Sequence, residues 1–197
     1  MPLMRAFLET AGWLAAIVYC SIPSFWLLVH PRAYYWRARH RSPYRVLLPG
    51  WAAMWIALAL LTRPWRHVRL YDASWPWAPA IALFALGLFI YSRARRGFSG
   101  TMLSGQAELQ VQRHTQTLVT GGIRDRVRHP IYLGHLVELA AWAAGTGLAV
   151  VYALLVFALL TGWFMIRLED RELEQRFGEP YREYKRRVPA IVPRIQF

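Results

Sequence analysis

The stretch from Ile131 to Ile166, IYLGHLVELAAWAAGTGLAVVYALLVFALLTGWFMI, holds one acid, Glu138, one histidine, His135, and no lysine or arginine. As one helix its 36 residues would be about 54 Å long, against a hydrocarbon core of about 30 Å. Gly145-Thr146-Gly147 lies near the middle. The stretch therefore reads as two membrane helices folded back on each other around a glycine turn.

Working outward, Phe7 to Val29 is apolar apart from Glu9, with Pro23 in its second half. It is too long for the core of a signal peptide and ends in Phe25-Trp26-Leu27-Leu28-Val29, so a retained helix is expected. Val46 to Thr62 and Trp75 to Ser92 are shorter, with Trp and Tyr at their ends, where amphipathic rings favour the membrane interface. The expected fold is an all-α integral membrane protein with five spans, the last two forming the hairpin. Residues 1–92 would be an N-terminal three-helix region and residues 93–197 a second region of loop, hairpin and tail.

Composition agrees. Of 197 residues, 56% are hydrophobic and only 18% charged, yet Lys+Arg outnumber Asp+Glu by 24 to 11, for a net charge of +13. The charges cluster between long apolar stretches, which argues against a soluble nucleic-acid binder. Cys20 stands alone, which excludes an intrachain disulfide and a thiolate metal cluster. Five arginines lie in 30–45, seven in 93–130, and seven plus Lys185 in the tail from Arg167. With five spans these regions share one side, leaving Arg5, Arg63, Arg66 and Arg69 on the other. The positive-inside rule then puts the N-terminus outside and the C-terminus in the cytoplasm.

Two polar stretches, Gly97 to Arg128 and Arg167 to Phe197, are candidate sites. The first leads through Thr117-Leu118-Val119-Thr120-Gly121-Gly122 into Arg128-His129-Pro130-Ile131-Tyr132-Leu133-Gly134. Pro130 suits the first turn of a helix, and the free N–H groups of a helix start can hold an anionic group. The competing reading makes Arg128 and His129 interfacial residues snorkelling to headgroups. In the tail, Leu168 to Phe177 reads as one short amphipathic helix closed by Gly178. A second opens at Pro180, with Tyr181, Tyr184 and Val188 on one face. These helices either lie solvated on the membrane or cover a site. Within the hairpin, His135 and Glu138 share a helix face. Ionisable groups at that depth are costly and point to a site, unless a protonated Glu138 only bonds a neighbouring helix. No His-Glu-x-x-His, Gly-x-Gly-x-x-Gly or phosphate-binding Gly-rich loop is present, so neither zinc, a Rossmann site nor a P-loop is expected.

Three stretches in order carry a family resemblance: Leu118-Val119-Thr120-Gly121-Gly122, then Arg128 to Gly134, then Glu169-Asp170-Arg171-Glu172-Leu173 through Phe177-Gly178, Tyr181, Tyr184 and Val188-Pro189. In these the chain resembles the isoprenylcysteine carboxyl methyltransferases, integral membrane enzymes similar in turn to the phospholipid N-methyltransferases. The resemblance covers about the last hundred residues. It implies a methyltransferase using S-adenosylmethionine, held in a cytoplasmic pocket roofed by the loop and the tail helices, acting on a lipid-like or prenylated amphiphile. The implied cofactor residues are Gln116, Thr117, Leu118, Val119, His129, Pro130, Ile131, Tyr132 and Glu169. Arg167, Glu138 and His135 are the candidates for substrate contact.

The chain departs from the family pattern at Arg124, where a cofactor-site Tyr is usual, and at Met165, where the prenylcysteine enzymes carry a substrate-binding Arg. The acceptor thus stays open between a carboxylate, a lipid amine and another group. Two other readings are an NADPH-dependent sterol-reductase-like enzyme, which shares an Arg-His-Pro-x-Tyr motif, and a non-enzymatic scaffold whose basic loops bind anionic lipid.

Overall fold

The computed structural model describes residues 2–38, 44–96 and 117–193. Most of the Gly97–Arg128 stretch, Gln116 included, lies outside the described residues. Among those described, the regular elements are all helical: α1 (Pro2–Val29), α2 (Ala33–Arg37), α3 (Tyr44–Thr62), α4 (Trp77–Ala94), α5 (Pro130–Thr146), α6 (Ala149–Phe177) and α7 (Glu179–Arg187), with short 3-10 turns at His30–Arg32, Arg63–Trp65 and Gly122–Asp125.

Four segments are long and apolar enough to cross a membrane: Leu3–Arg32, Tyr44–Trp65, Trp77–Ala94 and Ala149–Phe177. They make this a multi-pass membrane protein. The remaining apolar helix, α5, has 17 residues and a length of about 25 Å, short of the hydrocarbon thickness.

The glycine turn lies where the apolar stretch needs it. α5 ends at Thr146, Gly147 adopts φ +65°, and α6 begins at Ala149. A residue with a Cβ is strained at that φ, and a Cβ there would also meet the Tyr71 ring at 2.7 Å. The turn is docked on the segment before α4. Leu70 N–H donates to Gly147 O at 2.8 Å and Ala149 N–H to Val68 O at 2.9 Å, while the Tyr71 hydroxyl donates to Ala144 O.

One expectation is corrected. The tail does not begin with a separate helix at Leu168, because α6 runs unbroken from Ala149 to Phe177. No Gly or Pro interrupts the chain between Gly162 and Gly178, and Leu, Glu, Arg and Gln all favour helix. The helix therefore continues out of its apolar part, carrying Glu169, Asp170 and Glu172 with it, until Gly178 ends it at φ +63°. The expected second tail helix is present as α7, and it buries Tyr181, Tyr184 and Val188 with Leu118, Leu173 and Phe177 packed against them.

The two halves of the chain share one core. Trp13, Ala16, Ile17 and Cys20 recur at helical spacing on α1 and meet Val150, Val151, Leu154 and Ala158 of α6. α4 packs along α5. Polar bonds add specificity in an apolar medium, where an unpaired N–H is expensive. The indole N–H groups of Trp51 and Trp55 on α3 both donate to Ser21 Oγ at 2.8 Å, and Trp13 donates to Thr62 Oγ1 at 2.9 Å. The outer face of α3, including Val46, Ile56, Leu60 and Leu61, is exposed, as a lipid-facing surface would be.

Close approach of α4 and α5 depends on Gly87, where a Cβ would lie 2.5 Å from Glu138 Cγ. Gly87→Val is expected to destabilise the detergent-solubilised protein by about 1–3 kcal/mol, read as a lowered melting midpoint. Gly50→Ala on α3, where a Cβ meets nothing within 4 Å, is the contrast and should be neutral or stabilising by up to about 1 kcal/mol.

Candidate active site

The polar ends of α5, α6 and α7 converge on one buried carboxylate, Asp170. Its Oδ2 accepts from Arg128 Nη2 at 2.7 Å and lies 3.7 Å from Lys185 Nζ. Its Oδ1 is 3.1 Å from His129 Nε2 and accepts from the Tyr181 hydroxyl. The other imidazole nitrogen of His129, Nδ1, stands 3.2 Å from Glu169 Oε2. Glu169 and Asp170 are adjacent on α6, and His129 immediately precedes α5, so one imidazole is gripped by two neighbouring acids of the opposing helix.

This arrangement sets the charge of His129. Burial disfavours the imidazolium, but the two carboxylates outweigh it and raise its pKa to about 9. With both ring nitrogens facing carboxylates, the doubly protonated form is the one that satisfies them.

Backbone pairing completes the closure. Arg128 N–H donates to Pro189 O at 2.9 Å and His129 N–H to Ala190 O at 3.0 Å. The Arg128 guanidinium also donates to Lys185 O at 3.2 Å and to Val188 O, the last carbonyls of α7. Arg124 is buried and donates to Ala94 O at 2.8 Å at the end of α4, while its own carbonyl accepts from Tyr184 at 2.8 Å. It thus joins α4 to the tail. A further buried imidazole, His30, stacks on Trp26 with ring centroids 5.3 Å apart and lies within electrostatic reach of Glu169.

Beside this cluster a cavity of about 740 Å³ opens between α5, α6 and the Pro189–Val192 segment, with Tyr19 and Pro23 of α1 at its inner wall. That volume suits a cofactor or drug-sized ligand. The inner wall is apolar, formed by Leu136, Leu139, Ala158 and Gly162 among others. Arg167, Arg171 and Lys185 line the end near α7.

Of the sequence-predicted residues, His129 and Glu169 are brought together, and Tyr132 sits beside His129 with ring centroids 5.9 Å apart and lines the cavity. Pro130 is buried at the first position of α5 and Ile131 is half-buried. Thr117 and Val119 lie in the coil before the Gly122 turn, while Leu118 packs on the α7 tyrosines. Arg167 and His135 line the cavity. Arg167 is exposed, with its guanidinium 4.1 Å from the Trp163 ring centroid. Glu138 is buried and accepts from the Tyr19 hydroxyl. Met165 is completely buried.

Asp170, Arg128 as a tail clamp, Tyr181 and His30 are the residues that motif reading did not assign. A signal for Asp170 existed, as the second acid of the Glu169-Asp170 pair. The partners that make it the node lie 11 to 42 residues away.

No family model and no solved structure matches the chain. It is 38% identical over 111 residues to methanethiol S-methyltransferase 2 of Bradyrhizobium diazoefficiens, covering 55% of this chain and 37% of that protein. It is 39% identical over 87 residues to protein-S-isoprenylcysteine O-methyltransferase of Homo sapiens, covering 42% and 29%. It is also 32% identical over 126 residues to a cobalt-zinc-cadmium resistance protein of Cupriavidus metallidurans, covering 64% and 54%. The matches span between about a quarter and a half of these relatives' own lengths.

The raised His129 pKa gives the cluster a defined pH response. Folding strengthens proton binding at His129, so its contribution to stability is complete below about pH 6.5 and is lost as pH rises through about 9. The melting midpoint in detergent should fall across that window, and His129→Gln should flatten the fall. Asp170→Ala leaves the Arg128 guanidinium without its carboxylate and His129 with Glu169 alone, and should cost about 3–5 kcal/mol at pH 7.

Proposed function

We propose that the protein is an S-adenosylmethionine-dependent integral membrane methyltransferase of the isoprenylcysteine carboxyl methyltransferase kind, acting on an amphiphile, a reading supported by its partial likeness to methanethiol S-methyltransferase and protein-S-isoprenylcysteine O-methyltransferase. The observation that carries this reading is the His129–Glu169 pair at the head of α5, 3.2 Å apart and adjoining a large cavity through Tyr132.

The residues present fit that cofactor. Glu169 Oε2 is buried and faces the His129 imidazole at 3.2 Å, and a carboxylate keeps further lone pairs that a ribose diol or an ammonium group can meet. Tyr132 offers an aromatic face, which suits a sulfonium cation. The proposed cofactor set is Glu169, His129, Pro130, Ile131 and Tyr132, together with Gln116, Thr117, Leu118 and Val119. When bound, the cofactor supplies an activated methyl group. The protein's own work is to align acceptor and methyl and to exclude water. His129 holds Glu169 in place, Tyr181 and Arg128 hold Asp170, and the α7 segment roofs the site against the Pro189–Val192 strap.

The acceptor would enter sideways from the bilayer. Leu159 and Trp163 line the cavity and are also among the exposed apolar residues of α6, so the cavity wall is continuous with the lipid-facing surface. In this reading α5 is the fourth of five spans. The 20 basic residues that this topology puts on the side of the site favour a cytoplasmic site and C-terminus, with the N-terminus outside. A phospholipid amine is the second acceptor class, favoured by Arg167, Arg171 and Lys185 at the rim, where a phosphate would meet them.

Calorimetry of S-adenosylmethionine against the detergent-purified protein tests the reading. Wild type should bind, and Glu169→Ala or His129→Ala should weaken binding by about 10–100-fold, the loss of a charged hydrogen bond. No heat from wild type, or heat from NADPH instead, overturns it.

A further inference from the structure

The methyltransferase reading leaves one buried polar group of the cavity wall, His135, without a task. His129, Tyr132 and His135 follow each other at intervals of three along α5, with ring centroids 5.9 Å and 6.3 Å apart, so they form one face leading from the His129–Glu169 pair into the bilayer part of the cavity. His135 lies about 8 Å below the start of α5. It lines the cavity, and its buried Nδ1 has no hydrogen-bond partner among the described residues.

The imidazole is held in place by rings. Tyr19 stands 5.6 Å away on α1 and Tyr91 5.3 Å away on α4 in an edge-on contact. Gly134 lets Tyr91 come this close, since a Cβ there would lie 3.0 Å from its ring. The Tyr19 hydroxyl is committed to Glu138. The result is a fixed nitrogen base at the wall of an apolar cavity, with a carboxyl group one turn further along the same helix.

We propose that His135 is the proton acceptor of an acceptor subsite in this cavity, one that takes a neutral thiol or amine on an apolar carrier. The proposal rests on the methyltransferase reading above. The nucleophile's lone pair forms the new bond to the methyl carbon. The carbon–sulfur bond of the sulfonium donor breaks with its electron pair returning to sulfur, leaving a thioether. The proton of the thiol or amine passes to the His135 imidazole. A carboxylate acceptor would need no such base and would be poorly placed here. The cations lining the cavity, Arg167, Arg171 and Lys185, sit toward its α7 end, away from His135, and Lys185 is 2.6 Å from Glu174.

The test compares octane-1-thiol, octylamine and octanoate as acceptors for S-adenosylmethionine with radiolabelled methyl, using the full chain in detergent and His135→Gln alongside wild type. Cofactor binding by calorimetry reports that the variant is folded. The thiol or the amine should be methylated and octanoate should not. His135→Gln should lower kcat at pH 7 by about 100-fold or more while KM changes little, as for loss of a general base. The deficit with the thiol should shrink as pH rises and the thiol ionises unaided, a response that a purely structural histidine would not produce. Preference for octanoate, methylation of none of the three with cofactor bound, or full activity of His135→Gln overturns this inference while leaving the methyltransferase reading intact. Absence of cofactor binding by wild type overturns both.

Discussion

Everything at the polar end of the molecule depends on the buried carboxylate of Asp170. Taking Asp170, Arg128 and His129 out of water is expensive, and a single ion pair rarely recovers the cost. Here the carboxylate is satisfied from several directions, by the Arg128 guanidinium, the His129 imidazole and the Tyr181 hydroxyl. Such a node is cooperative, because losing one partner exposes the others to the full penalty of an unpaired buried charge. Asp170 also stands on a helix that runs without a break from the membrane core. The node therefore couples the apolar bundle to the polar tail directly, with no flexible joint between them.

That coupling shapes the cavity. At one end α5 and α6 are tied by the Asp170 and Glu169 contacts to His129. At the other they are tied by the Gly147 turn clamped against Tyr71 and the Val68–Leu70 backbone. Between these fixed ends small residues such as Gly162 and Ala158 leave room, and α1 contributes Tyr19 and Pro23 as the inner wall. A second tie supports the site from the N-terminal half, where Arg37 of α2 pairs with Glu172 of α6, which also accepts from Arg176 at 2.7 Å. The first third of the chain thus helps hold the helix that carries the acids.

Local determinants of this fold are legible in the sequence, and long-range ones are not. The glycine turn, Pro130 at the start of α5 and the Tyr181–Tyr184–Val188 face follow from spacing and backbone freedom within a few residues, and each has its counterpart in the structure. The continuity of α6 was missed because the change from apolar to charged residues near Arg167 looks like a boundary. Charge does not end a helix, however, and no breaker occurs before Gly178. Motif resemblance brought His129 and Glu169 together as one site but gave no means of seeing Asp170 as its centre, since Tyr181 and Arg128 reach it only after the tail has folded back. The rotation of α5 is equally invisible in the sequence: of the expected cofactor residues that are described, only Tyr132 lines the cavity, while Pro130 is turned into the packing.

The basic excess on this side of the molecule is more than a topological signal. Arg124 and Arg128 are four residues apart, yet each closes the C-terminal end of a different helix, Arg124 through Ala94 O at the end of α4 and Arg128 through Lys185 O and Val188 O at the end of α7. Carbonyls at a helix C-terminus lack intrahelical partners and carry the negative end of the dipole, so a guanidinium satisfies both needs at once. Both arginines come from the short segment that precedes α5, residues 117–129, which makes that segment the fastener between α4, α5 and α7. Arg124 stands where the family resemblance expects a cofactor-site tyrosine, and its bond to Ala94 O gives it a structural task in that place. Under the proposed methyltransferase reading, the cofactor contacts would then fall to Glu169, His129 and Tyr132, with His129 held by the Asp170 node.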